Sequence, residues 1–86
     1  MEVEFLDNAL DDLEFWKKSG DRGIQLRIER LLKSICQTPY SGIGKPESLK
    51  HQLTGCWSRR IDSEHRLVYS VHENHIKVHS LRFHYF

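Results

Sequence analysis

Three stretches of the sequence hold more polar chemistry than a small domain needs for solubility. Gly44-Lys45-Pro46-Glu47-Ser48-Leu49-Lys50-His51 sets a carboxylate among cations, Trp57-Ser58-Arg59-Arg60 offers two adjacent guanidinium groups, and Glu64-His65-Arg66-Leu67-Val68-Tyr69 combines an acid, an imidazole and an arginine. The stretch Arg82-Phe83-His84-Tyr85-Phe86 adds a histidine between aromatic residues. A carboxylate and an imidazole can move protons, and arginines can stabilise charge on a phosphate. Cleavage of RNA by its own 2′-hydroxyl needs that set: a base for the hydroxyl proton, cations for the crowded phosphorane and an acid for the leaving 5′-oxygen. Residue type alone also allows plainer roles. Glu47 could pair with Lys45 or Lys50 in a loop, Arg66 could be a surface strand arginine, and His84 could simply end a strand.

The charge is divided along the chain. Residues 1–44 contain 6 Lys/Arg against 8 Asp/Glu, whereas residues 45–86 contain 7 against 4 and all six histidines. The second half is the one suited to meeting phosphates, although a solvated basic face would look the same. With 86 residues, 38% hydrophobic and 29% charged, the composition is that of one folded domain spanning 1–86. No apolar run approaches the ~20 residues that span a bilayer, and the acidic start is unlike a signal peptide, so a cytoplasmic location without membrane contact is expected.

The elements that must position these residues follow from periodicity. Val3 and Phe5 alternate with acids over Glu2 to Leu6, which predicts a short strand. Asp7 or Asn8 is expected to cap a first helix, with Ala9, Leu13 and Trp16 at helical spacing and Gly20 as its stop. Asp21 is placed to cap a second helix, in which Ile24, Ile28, Leu31 and Ile35 form one apolar stripe and Thr38-Pro39 ends the run. Arg22, Arg27, Arg30 and Lys33 take the remaining faces, as on a solvated helix. Glycines 42 and 44 and Pro46 mark residues 40–46 as a loop. From Leu53 onward the pattern is β: Trp57, Arg59 and Ile61 alternate with Ser58, Arg60 and Asp62. A turn at Asp62-Ser63-Glu64 leads to a strand from Arg66 to Val71. Glu73-Asn74 leads to a last strand from Ile76 to Phe86, with Ile76 and Val78 on one face and Leu81 and Phe83 on the other. The fold class is α+β: a short N-terminal strand and two helices packed on a twisted antiparallel sheet. A three-residue turn would set Arg60 directly opposite Arg66, an unfavourable pairing unless an anion lies between them.

Cys36 and Cys56 lie in no metal-ligand or redox spacing, and each is expected to be a buried free thiol. His72, His75 and His79 invite a metal site, but no carboxylate or cysteine completes a recognisable ligand set. Residues 75 and 79 on one strand would stand ~13 Å apart, so exposed sheet histidines and no metal or other cofactor are expected. Trp16 and Trp57 are read as core or dimer-contact residues.

Taken in order, the blocks Gly44-Lys45-Pro46-Glu47, Leu49-Lys50-His51, Trp57-Ser58-Arg59-Arg60-Ile61 and Glu64-His65-Arg66-Leu67-Val68-Tyr69 resemble the YoeB (Txe) toxins of the RelE/ParE superfamily. The resemblance runs from the Asp11-Asp12 helix with Trp16 to His84-Tyr85. It implies a RelE-like microbial RNase fold and a ribosome-dependent, metal-independent endoribonuclease cutting mRNA in the decoding site. It further implies Glu47 as general base, His84 as general acid and Arg66 as the transition-state cation. Lys50 and Arg60 would hold phosphates and Tyr85 would position a base. A YefM-like antitoxin, operator DNA bound through the toxin–antitoxin complex, and a homodimer are the implied partners. The chain departs from the pattern at Ser48, where a second proline is usual, at Cys56, where a larger residue is usual, and at Phe86, which extends past the usual terminal tyrosine. Two other readings remain for test: a ParE-like gyrase poison, which needs no nuclease residues, and a non-catalytic RNA-binding or corepressor module.

Overall fold

A computed structural model describes residues 1–83. The chain runs β1 (Glu2–Phe5), α1 (Asp7–Ser19), α2 (Arg22–Gln37), β2 (Glu47–Ser48), a 3-10 turn (His51–Leu53), β3 (Cys56–Arg60), β4 (Arg66–His72) and β5 (His75–Ser80). The five strands form one sheet in the order β1-β5-β4-β3-β2. Pairs β2–β3, β3–β4 and β4–β5 are antiparallel, as expected of a meander, while β1 joins β5 in parallel and makes the sheet mixed. The parallel pairing follows from the connection: two helices lie between β1 and the meander and return the chain in the same direction.

Helix α2 begins and ends, and helix α1 ends, where short-range chemistry directs. The Asp21 side chain accepts a hydrogen bond from the Ile24 N–H at 3.0 Å and so caps α2, and Thr38 closes it before Pro39. Helix α1 stops at Gly20 in the left-handed conformation. Its start differs from expectation, because Leu6 is the cap residue and makes no side-chain cap bond. Leu6 is still bonded to β5, its N–H donating to the Val78 carbonyl at 2.9 Å, so the sheet sets the first helical turn. Asp7 then stands within that turn, at the positive end of the helix dipole.

The helices cover one face of the sheet. Ile28, Leu31 and Ile35 of the α2 stripe pack with Ala9 and Trp16 of α1 against Leu67, Tyr69, Ile76 and Val78, with Ile24 partly buried at the margin. Leu81 belongs to this same core, contrary to the expected alternation. The register explains it: Tyr69 faces Val78 but Val68 faces Ser80, leaving one extra residue in β5. A one-residue bulge exchanges the faces of everything beyond it, which turns Leu81 inward. Strand β5 ends at Ser80, and Phe83 is exposed rather than continuing a strand. Leu49, Cys56 and Val68 form a smaller cluster on the opposite face, with Leu53 of the 3-10 turn against it. Both cysteines are free, Cys56 buried and Cys36 half-buried.

Leu31 is fully buried where α2 meets the sheet. Replacing it with alanine is expected to cost about 2–5 kcal/mol of unfolding free energy. Urea denaturation would check this, the midpoint falling with an unchanged slope.

Candidate active site

The face of the sheet away from the helices gathers the chemistry. Residues directly opposite in a ladder share a face, and so do residues two apart along a strand. Glu47 pairs with Ser58, Ser58 with Val68, and Arg60 with Arg66. Glu47, Ser58, Arg60 and Arg66 therefore share the outer face. Glu47 lies one strand over and one pleat along from Arg60, and two strands from Arg66, roughly 12 Å away between α-carbons. Lys50 is exposed just past β2, beside Leu49, whose burial under the outer face anchors that segment. The proposed acid His84 and its neighbour Tyr85 lie outside the described residues, as does Phe86.

The Arg60–Arg66 opposition has the form that the three-residue turn predicts. The Ile61 N–H donates to the His65 carbonyl at 3.0 Å and closes the turn. Inside it, Asp62 Oδ1 accepts from the Glu64 and His65 N–H groups at 2.8 and 2.6 Å. Arg66 folds over the turn, Nη1 donating to the carbonyls of Asp62 at 2.9 Å and His65 at 3.1 Å. Carbonyl partners orient the guanidinium and leave its full charge. Partial burial pushes the Asp62 carboxyl up, but hydrogen bonds from the His65 and Glu64 amides and the charge of Arg66 outweigh it and hold the carboxyl below its ordinary range. Two cations side by side on one pleat row, on an exposed face, repel each other unless an anion lies between them.

Glu47 is placed by a buried arginine that sequence reading quoted but did not single out. Arg59 is fully buried. Its Nε donates to the Tyr69 hydroxyl at 3.1 Å, Nη1 to Ser34 Oγ at 2.9 Å and the Ile43 carbonyl at 2.8 Å, and Nη2 to the Thr38 and Ser41 carbonyls at 2.8 Å each. All five guanidinium N–H groups are used, and every acceptor is neutral. The Tyr69 hydroxyl in turn donates a hydrogen bond to the Pro39 carbonyl at 2.6 Å. The loop from the end of α2 to β2 is thus wrapped around one side chain. Glycine is required where the wrap is tightest: a Cβ on Gly42 would lie 2.5 Å from Ser34 Oγ, and one on Gly44 2.7 Å from Leu31 Cδ2. Both have positive φ, and the Gly44 carbonyl accepts from the Arg60 N–H at 2.7 Å. The loop therefore reaches β2 already in register with the strand bearing Arg60. The signal was present in the sequence, since Arg59 is in phase with Trp57 and Ile61 on the apolar side of its strand.

A second set of pins holds the segment after β5. Asp12 is buried on α1, and its Oδ2 accepts from the Leu81 N–H at 2.8 Å. Trp16 Nε1 donates to the Leu81 carbonyl at 2.9 Å. The Arg66 N–H donates to the Phe83 carbonyl at 3.1 Å. These bonds bring Phe83 beside Arg66, one residue before His84. Asp12 and Trp16, four apart on one helix face, are the sequence trace of this contact.

The three extra histidines are more connected than expected. Ser70 Oγ lies 2.7 Å from His72 Nε2 and 2.8 Å from His79 Nε2, the His72 and His75 rings stack at 5.4 Å, and Glu4 approaches His75 at 3.6 Å. His72 is exposed, while His75 and His79 are half-buried. Burial, followed by the charges of His72 and Lys77, lowers the His79 pKa and favours its neutral form. Among the described residues no three His, Cys, Asp or Glu side chains are arranged to hold a metal ion.

Comparison with known proteins decides the family. Residues 5–85 match the model of the YoeB-like toxin of bacterial type II toxin-antitoxin systems. The chain belongs to this family. The toxin is 45% identical over 85 residues to Toxin YoeB of Synechocystis sp., covering 99% of this chain and 98% of that one. Its fold superposes on a YoeB/ParE toxin from Agrobacterium tumefaciens with a TM-score of 0.93 at 40% identity, covering 99% and 100% of the two chains. It superposes equally fully on the toxin chain of a heterotetrameric YoeB-YefM toxin-antitoxin complex from Staphylococcus aureus, with a TM-score of 0.89 at 45% identity and 99% and 98% coverage.

Two outcomes follow for the arginine clamp. Arg59→Leu is expected to cost about 3–5 kcal/mol, because the loop carbonyls lose their donors, and Arg59→Lys to recover little, lacking the planar fork. Equilibrium denaturation of the three proteins measures both. Burial foremost raises the Tyr69 pKa, against the opposing pull of Arg59, so the fold favours the neutral phenol. That contribution is complete below the ordinary tyrosine value of 10.0 and is lost as pH rises beyond it. Stability measured across the alkaline range should therefore fall less steeply in Tyr69→Phe than in wild type.

Proposed function

We propose that this toxin is a ribosome-dependent endoribonuclease that cleaves mRNA in the decoding site and so halts translation. The observation that carries the reading is the shared outer face: a carboxylate on β2 and two directly opposed arginines on β3 and β4, held in register by the Arg59 wrap and the Asp62 turn. Glu47 takes the proton of a 2′-hydroxyl, and the oxygen attacks the adjacent phosphorus. Arg66 and Arg60 stabilise the charge that builds on the phosphorane, and Lys50 holds a neighbouring phosphate. His84 gives its proton to the departing 5′-oxygen, leaving a 2′,3′-cyclic phosphate and a 5′-hydroxyl, while Tyr85 positions a base. The scheme routes no step through a metal ion.

The setting is the cytoplasm, where translating ribosomes are found; no helix among the described residues is long and apolar enough to cross a membrane. The partners that go with the reading are a YefM-like antitoxin, operator DNA bound by the toxin–antitoxin complex, and a second copy of the chain. The heterotetrameric complex of the S. aureus relative supports the antitoxin.

Expression of wild type, Glu47→Ala, Arg66→Ala and His84→Ala, with and without antitoxin, tests the reading by mapping 5′ ends on translating mRNA. Loss of the base or the acid is expected to slow cleavage by ~10²–10⁴-fold. Cleavage unchanged in all three variants would overturn the assignment. Toxicity with intact mRNA and broken DNA would point instead to a gyrase poison, and absence of toxicity to a binding module.

A further inference from the structure

The segment Leu81–Phe83 is gripped by four hydrogen bonds, and one of them differs in kind. The Leu81 bonds to Asp12 and Trp16 and the Arg66–Phe83 backbone bond require no particular state of an imidazole. The fourth does: the Phe83 N–H donates to His65 Nδ1 at 2.7 Å. An amide can only donate, so Nδ1 is the bare nitrogen of a neutral ring, and the ring proton sits on Nε2, which faces Glu64 at 3.7 Å. The ring is clamped in that orientation. Trp16 of α1 meets it edge-on at 4.9 Å and the Phe83 ring lies 5.6 Å away. Phe83 also has φ of 61°, a left-handed conformation that a phenylalanine adopts only when its surroundings impose it.

We propose that His65 is a positioning residue of the nuclease site, fixing the Phe83 backbone beside Arg66 through its unprotonated Nδ1, one residue before the proposed acid His84. The inference rests on the nuclease reading above and adds a residue to it. A proton on Nδ1 would set donor against donor and release Phe83 from its strained φ. The charged groups around the ring are Glu64 and Asp62 from its own turn, Arg66 of β4, and Arg82, whose guanidinium lies 4.6 Å from the Phe83 ring. From α1 the ring meets the uncharged indole of Trp16, and Asp12 is engaged with Leu81.

The test uses the full chain as wild type, His65→Asn and His65→Phe. Asparagine presents an oxygen near the Nδ1 position and does not titrate, whereas phenylalanine keeps the ring against Trp16 and removes the acceptor. Protection of the Phe83 amide from hydrogen exchange, corrected for the intrinsic rate, is followed with pH beside the His65 ring signals. Cleavage of ribosome-bound mRNA is measured in the same buffers. In wild type, Phe83 protection should disappear with the same midpoint as His65 protonation. In His65→Asn it should be flat with pH, and cleavage near neutrality should stay within a few-fold of wild type while losing that acid limb. In His65→Phe protection should be absent throughout and kcat should fall by on the order of 10²-fold with little change in KM. Should the phenylalanine variant fail to fold, the wild-type and asparagine profiles decide alone. Phe83 protection indifferent to His65 protonation, or the same acid limb in His65→Asn, would overturn the proposal. Protection that tracks His65 in a wild type that cleaves nothing at any pH would instead overturn the nuclease reading and leave the Phe83 pin standing.

Discussion

The architecture depends on a buried positive charge whose hydrogen-bond acceptors are all neutral. Arg59 is enclosed between α2, β4 and the loop that joins the helices to the meander, and its charge is spread over carbonyl and hydroxyl dipoles. Removing an ion from water is costly, and it is tolerated only when every donor is met with good geometry. That requirement acts in both directions. The arginine needs the loop to be satisfied, and the loop, rich in glycine and without regular structure, needs the arginine to have one conformation. A region whose composition reads as flexible is thereby made as definite as a strand.

The sheet divides its labour cleanly. The inner face is apolar apart from Arg59 and is closed by two helices, so it supplies the stability. The outer face is left to polar side chains, with only the small Leu49, Cys56 and Val68 cluster to seat the β2 segment. Arg66 on the outer face is oriented by the carbonyl groups of Asp62 and His65. Fixing a charge in place without cancelling it is what a phosphate-handling surface requires.

Much of this was legible in the sequence, and what was not has physical reasons. The α2 stripe, the Asp21 cap, the Thr38-Pro39 stop and the Arg60–Arg66 opposition depend on local periodicity and turn length, which residues a few positions apart determine. The parallel placement of β1, the two-residue β2 and the inward turn of Leu81 depend on partners far along the chain. The bulge in β5 illustrates the limit, because the strict alternation of Ile76, Val78 and Lys77 gives no sign that a residue will be skipped. At the candidate site, Glu47, Lys50, Arg60 and Arg66 were legible as family blocks, and the ladder registers then account for the common face of Glu47, Arg60 and Arg66. Arg59, in phase with Trp57 and Ile61, and Asp12 with Trp16, four apart on one helix face, left a trace of inward placement, but the remote groups they bond, like the role of His65, leave no spacing to read. The histidines on the outer face were judged by strand rise, which is silent about 72 and 79 meeting at Ser70.

The pairing of β1 with β5 has a consequence for biosynthesis. The strand made first finds its place in the sheet beside the last of the five, and α1 contributes Asp12 and Trp16 to a segment almost seventy residues later, as the separation of 69 between Asp12 and Leu81 records. Contacts of such long range form late, after the chain entropy that separates them has been overcome. Until β5 has been made, β1 has no neighbour in the sheet and α1 has no Leu81 segment to hold. The fold is complete only once β5 fills the place between β1 and β4.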